Sequence, residues 1–261
     1  TITNNTVTGC SYHNDANPSN WGAAGIILYG NGPVTITNNT ISGNSVNLSI
    51  TDPVGAVSVG ANTFGSVTGP LGSSYQVIND SSYPINLTQL TVDGVVLSDA
   101  TTAQLLTVAG RIWDGIDDDT LGVALLKTGY QFVDPEGSIQ AAIDAATPGD
   151  KIYVAAGTYD ETGPLTINKA NITVQSFAGA ATTIIDVQGT GLFNGVEALA
   201  GLGNVTLDGF TVRNFTQDGI KQSYTQKAGT AFHVLNNIVI PADDYLRNGI
   251  EVTGDGSTVI G

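Results

Sequence analysis

Apolar and polar residues alternate with a period of two through short stretches of this chain, and the alternation keeps restarting. "VTITNNTI" begins at Val34 and "NVTLDGFTV" at Asn204. Alternation of this kind predicts strands that bury one face. Two markers travel with it. Gly followed by alternating apolar residues opens "GIIL" at Gly25, "GAVSV" at Gly55, "GIKQ" at Gly219 and "GIEV" at Gly249. Paired small polar residues sit inside a strand at Asn4, Asn38, Asn62, Asp208 and Asn236.

The markers are evenly spaced. Gly25 to Gly55 and Gly219 to Gly249 are each 30 residues, Asp208 to Asn236 is 28, and Asn38 to Asn62 is 24. A repeat of this length, made of short strands and Gly/Asn turns, predicts one coil of a parallel solenoid. Each coil buries its inward residues only when another stacks on it. Asn at equivalent corners would form a ladder of side-chain amides, and Asn tolerates a left-handed backbone. An antiparallel sandwich is the competing reading, but hairpin pairs such as Asn-Gly are scarce. Joining Gly261 to Thr1 places Asn4 29 residues beyond Asn236 and Gly25 37 beyond Gly249. The expectation is therefore a head-to-tail array in which the pattern leaves one unit and enters the next.

Two segments break the alternation. "SIQAAIDAATPGD" predicts an amphipathic helix over 138–146. Ser138 is its N-cap, Ile139, Ala142, Ile143 and Ala146 lie on one face, and Pro148-Gly149 stops it. Lying over a first coil, it would shield that coil's edge. "TTAQLLTVAGRIWDGIDDDTLGVALL", from Thr101, reads as a helix, a turn at the Asp run and a short apolar strand. The expected organisation is the tail of one solenoid at 1–66, a connector at 67–137 and the head of the next at 138–261.

Composition agrees with this picture and narrows the partners. The 261 residues are 41% hydrophobic with 33 Gly and no Met, which suits strands and turns. The net charge of −15, with only eight Lys and Arg, repels phosphate backbones and anionic headgroups. Nucleic-acid binding is disfavoured, and no stretch is long enough to insert in a bilayer. Cys10, the single cysteine, has no partner for an internal disulfide and reads as a small apolar residue.

"SIQAAIDAATPGDKIYVAAGTYDETGPLTINKANITVQSFAG", from Ser138, resembles the opening of right-handed parallel β-helix proteins of the pectin lyase-like superfamily. "GIILYGNGPVTITNNTISGN", from Gly25, resembles the copper-maturation and carbohydrate-binding branch of that superfamily. The middle segment is similar to connectors between β-helix modules of large repetitive surface proteins. The resemblance implies an all-β, right-handed parallel β-helix with a short N-terminal capping helix and a mixed α/β connector. It says little about function, because this scaffold serves lyases, hydrolases, adhesins and structural repeats alike.

Residue types argue against an enzyme. Lyases of the superfamily resemble one another in a calcium-binding acidic cluster with an Arg or Lys base. Here Arg213, with Asp218 behind it, is the only Arg inside a coil with an acid close by, and an exposed pair is the plainer reading. The methylesterase and polygalacturonase motifs are missing. His13 and His233 stand without neighbours at ligand spacing, and Cys10 with His13 would need a further ligand. Tyr12 and Trp21 offer aromatic faces for a sugar. Asp114, Asp117, Asp118 and Asp119 read as a solvated helix end or N-cap, with a structural Ca2+ at the module junction as the alternative, although they lack the spacing of an EF-hand loop. Asn4, Asn38, Asn47, Asn79, Asn86, Asn171, Asn204 and Asn214 lie in glycosylation sequons. The expected function is a structural module of an extracellular or cell-surface filament, sheath or fibre, whose partner is a further copy of itself. A carbohydrate-binding surface module or adhesin is the alternative, and a polysaccharide lyase or hydrolase ranks below it.

Overall fold

The computed structural model describes residues 1–10, 23–30, 32–51, 55–68, 75–188, 193–224, 229–242 and 248–261. It divides into two compact units, Thr1–Thr128 and Gly129–Gly261. Both are parallel β-helices, built as the alternation requires.

In the first unit the chain visits three sheets in turn. Ile2–Thr3, Val34–Thr37 and Val57–Val59 form one ladder; Thr6–Thr8, Thr40–Ser42, Thr63–Phe64 and Thr91–Val92 a second; Ala24–Tyr29, Val46–Thr51, Val77–Asp80 and Ile112–Trp113 a third. All of these pairings are parallel. Register places like beside like: Ile41 lies opposite Phe64, and Phe64 opposite Val92. Leu48 lies opposite Val77, and Val77 opposite Ile112. These residues are all buried. Each such side chain gains roughly 1.5–3 kcal/mol on leaving water, so the inward rows hold the stack together.

The segment 67–137, expected as a connector, supplies strands to these same ladders at Val77–Asp80, Thr91–Val92 and Ile112–Trp113. It also ends them. Asp93 and Gly94 both have positive φ, 49° and 84°, and turn the chain back so that Val95–Val96 pairs antiparallel with Thr91–Val92. A two-residue turn of this kind suits the right-handed twist of a hairpin. The expected helix follows as α1, Thr102–Ala109, with a full capping box between Thr101 and Gln104.

The second unit repeats the plan. Tyr130–Val133, Lys151–Val154, Thr173–Ser176, Val205–Asp208, Phe232–Leu235 and Thr258–Ile260 form a six-stranded ladder. Gly157–Glu161, Thr183–Val187, Thr211–Phe215 and Ile238–Pro241 form a second. Leu165–Ile167, Val196–Ala198, Ile220–Gln222 and Ile250–Glu251 form a third. Helix α2, Ile139–Ala145, is capped by the Ser138 hydroxyl, which accepts from the Ala141 N–H at 3.1 Å. It buries Ile139, Ala142 and Ile143, the face read from the sequence. Its Gln140 side chain closes the edge of Leu165–Ile167: the Thr166 N–H donates to Gln140 Oε1 at 2.8 Å, and Gln140 Nε2 donates to the Thr166 carbonyl at 3.1 Å. One side-chain amide thus stands in for the missing strand.

The Asn pairs divide the work of a corner. The first Asn takes the left-handed backbone, with φ of 59° at Asn4, 57° at Asn38 and 54° at Asn236. The second turns inward. The Asn5 N–H and Nδ2 both donate to Asn39 Oδ1, at 3.0 and 2.9 Å, and those of Asn39 donate to Asn62 Oδ1 at the same distances. Asn39 and Asn62 are buried. A second buried chain of amides joins Asn44 Nδ2 to Asn47 Oδ1 at 3.0 Å and Asn47 Nδ2 to Gln76 Oε1 at 2.6 Å. A buried amide is tolerable only when matched, and an unmatched donor or acceptor costs about 1–3 kcal/mol. Asn39→Ala should therefore lower the urea midpoint by more than Asn5→Ala, because Asn39 bridges two coils and Asn5 lies at the edge. Equal effects of the two substitutions would contradict a load-sharing ladder.

Candidate functional site

The candidate site is the pair of sheet edges that no described strand covers. In the second unit these are Ile238–Pro241 and Ile250–Glu251, with Thr258–Ile260 beyond Phe232–Leu235. Exposure along one inward row shows what an edge means. Leu207 is 0% exposed, Val234 1% and Val259 51%. In this row the dry residues are the two with a described coil on both sides. Ile238, Ile240 and Ile260 are exposed on the outward face of the same strands, flanking the inward Val239 and Val259. In the first unit the corresponding edge is Ile2–Thr3, Thr6–Thr8 and Ala24–Tyr29, where Ile27 and Tyr29 are exposed on the outward face and the inward Ile26 and Leu28 are buried. The opposite edges differ. The antiparallel Val95–Val96 strand closes one, and α2 with Gln140 closes the other.

Among the described residues, charged groups within the coils pair with one another. Arg213 pairs with Asp186 of the neighbouring coil, Nε at 2.8 Å and Nη2 at 2.6 Å, and Asn214 Nδ2 donates to the other oxygen of Asp186 at 2.5 Å. Asp218, the acid nearest Arg213 in sequence, instead accepts from Lys221 Nζ at 2.7 Å. That bond holds the Lys221 ammonium above its usual range. Sequence proximity missed the pairing because stacked coils bring residues 27 apart side by side.

The Asp run folds into a turn that uses its own carboxylates. Asp114 is buried and accepts from the Ile116 and Ala124 N–H groups at 2.8 and 2.5 Å. Asp117 accepts from the Asp114 N–H at 2.9 Å. Asp118 accepts from the N–H and hydroxyl of Thr120, which lowers its pKa. Asp119, next in the run, is exposed. Among the described residues no group of three or more His, Cys, Asp or Glu side chains is placed to hold one metal ion. His233 Nδ1 lies 2.8 Å from the Thr258 hydroxyl on the outer face. The N–H of Cys10, a free and half-buried cysteine, donates to Asn44 Oδ1 at 2.9 Å.

Tyr12, His13 and Trp21 lie outside the described residues, as does Arg247. The described aromatic cluster is Tyr130, Phe132 and Tyr153, with near-parallel rings and centroids 6.1–6.2 Å apart. Phe132 is buried, so this trio is not an open sugar platform. Six sequon asparagines are exposed: Asn4, Asn38, Asn86, Asn171, Asn204 and Asn214. Asn47 and Asn79 are fully buried, and their Nδ2 atoms donate to Gln76 and to the Gly122 carbonyl at 2.6 Å each. As folded, these two do not present an amide nitrogen for glycosylation. Among the described residues no helix is long and apolar enough to cross a membrane.

Compared with protein-family models, with curated proteins and with solved structures, the chain matches none.

The Glu161 carboxyl is strongly shifted. Burial, with the Asp160 charge beside it, pushes its pKa up to about 7. The folded chain then holds a proton that the unfolded chain releases above the ordinary value of 4.5. Stability from this residue is therefore lost as pH rises through that window. Glu161→Gln should raise the melting temperature at pH 8 and leave it nearly unchanged at pH 4. An equal gain at both values would contradict this assignment.

Proposed function

We propose that the chain is a structural module of an extracellular or cell-surface filament, sheath or fibre. Copies assemble head to tail, so that the coils of one continue into the coils of the next. The observation that carries the reading is the contrast between closed and open edges. Each unit has one edge finished by a dedicated device and one edge with apolar rows and backbone groups ready for another coil. An uncovered parallel edge is a template for a further strand. The two edges are of opposite polarity, so pairing one with the other is heterologous and generates an extended array unless the rotation closes a ring.

The paired amides and the dry interior suit a mechanical role, since the described strands of each coil pair with those of the next. The resemblance of 138–179 to the capped start of pectin lyase-like β-helices belongs to this reading and is supported by the position of α2 over the first coil. The low content of basic residues and the exposed sequons fit an exported, soluble surface.

Light scattering of the 261-residue chain across a concentration series tests the proposal, with electron microscopy of the same samples. The expected result is concentration-dependent growth into unbranched particles with an axial repeat of one chain. A monodisperse monomer at millimolar concentration would contradict it.

A further inference from the structure

We propose a specific register for the joint between copies: Asn237 of one copy meets Asn5 of the next, and Gly249 meets Gly25. This rests on the head-to-tail reading above and names the atoms that would carry it.

The first observation is steric. A Cβ built on Gly195 would lie 2.3 Å from Val212 Cγ1 and 2.4 Å from the Gly219 carbonyl oxygen, both in the next coil. On Gly219 it would lie 2.3 Å from Val239 Cγ1 and 2.5 Å from the Gly249 carbonyl oxygen. In each case an inward aliphatic branch and a backbone carbonyl of the following coil occupy the space, so only Gly fits. Gly249 continues this column, because Ile220 pairs with Ile250 just as Val196 pairs with Ile220. Yet no atom of the described residues lies within 4 Å of a Cβ there, and its φ is not positive. Neither its backbone nor its own surroundings ask for Gly. The following coil does, if it brings an aliphatic branch and a carbonyl.

Gly25 shows that the first coil of the other edge has this geometry. Its own Cβ would lie 2.5 Å from Ile41 Cγ2 and 3.1 Å from the Asn47 carbonyl oxygen of the coil that follows it. Gly25 therefore belongs to the same column. Val7 precedes Ile41 in its row as Val212 precedes Val239. On Gly249, then, Val7 and the Gly25 carbonyl of the next copy supply the two missing neighbours.

The second observation is the amide ladder. The Phe210 N–H donates to Asn237 Oδ1 at 2.8 Å, and Asn237 Nδ2 to the Leu207 carbonyl at 3.0 Å. These are the bonds that Asn39 makes with Asn5 and with the Ile2 carbonyl, at 3.0 and 3.1 Å. Asn237 thus holds the same place in its coil as Asn39. Asn5 is the same residue one coil earlier than Asn39, so laying Asn5 on Asn237 continues the ladder. The strands then align Thr6 with Ile238 and Val7 with Val239, which is the alignment the glycine column requires. Two unrelated contacts give one register. Because Ile2–Thr3 leads directly into Asn5, this register also requires it to take the edge of Phe232–Leu235 that Thr258–Ile260 holds in the free chain.

Three measurements on the 261-residue chain separate the register from the broader reading. Gly249→Val should leave the melting temperature of the dilute chain unchanged. It should also raise the concentration for half-assembly roughly tenfold or more. Gly219→Val should instead unfold the chain. In a Cys10→Ser background, chains carrying Ile238→Cys mixed with chains carrying Thr6→Cys should form a covalent dimer on mild oxidation. Thr8→Cys, displaced by two residues, should not, since its Cα falls beyond disulfide reach. If the unsubstituted chain assembles but Gly249→Val assembles equally well, or Thr8→Cys cross-links as readily as Thr6→Cys, the register is overturned and the head-to-tail reading stands. If the unsubstituted chain does not assemble, both fall.

Discussion

A parallel coil cannot satisfy its own backbone. Its N–H and C=O groups point along the solenoid axis, and its inward side chains form a layer one residue thick. Everything in this chain follows from how each coil finds a neighbour. Inside a unit the neighbour is another coil, placed with Ile, Val, Leu or Phe in the same inward row. At two edges the neighbour is a substitute. The hairpin at Asp93-Gly94 turns a strand back, which stops parallel growth. Gln140 gives the Thr166 peptide the two bonds that a strand would have given. At the remaining edges no described strand lies beyond Val239 or Ile250, which sit in inward rows.

The polar residues in the interior obey the same constraint. A buried Asn costs more than it returns unless its amide is matched on both sides. Stacking identical residues solves this, because each Oδ1 accepts from the coil before it and each Nδ2 finds a carbonyl. The cost is register. A coil shifted by one residue would lose the amide bonds and present the wrong face at once. The glycine column adds a steric lock, since a backbone carbonyl fits against Gly195 or Gly219 in one alignment only. Specific stacking therefore rests on contacts that contribute little net stability and penalise misalignment heavily.

Much of this was legible in the sequence. The period of 24–30 residues, the Ser138 cap and the inward alternation led to a parallel solenoid with a capping helix. The sequon count had a structural meaning that spacing alone did not reveal. Asn4, Asn38, Asn171, Asn204 and Asn214 all adopt positive φ, and a Thr two residues on enters or extends a strand at Thr6, Thr40, Thr173 and Thr206. The corner selects Asn and the strand selects β-branched Thr, so the motif arises from the fold. Contacts between coils were hidden. The Arg213–Asp186 pair spans 27 residues, and chain proximity pointed to Asp218 instead. Apart from the short apolar strand expected after the Asp run, found at Ala124–Leu125, the strands within 67–137 were hidden too, because they are two to four residues long and separated by a helix and turns that mask the period.

The proposed assembly rests on the edges that no described strand covers. Backbone hydrogen exchange tests that most directly, read by mass spectrometry in dilute and concentrated solution. The account predicts that peptides covering Thr6–Thr8 and Asn237–Ile240 exchange fast when dilute and become protected together as concentration rises, while Val205–Leu207 stays protected throughout. If both edge peptides are already slow to exchange in the dilute monomer and do not respond to concentration, the edges are closed by the chain itself and the account is wrong.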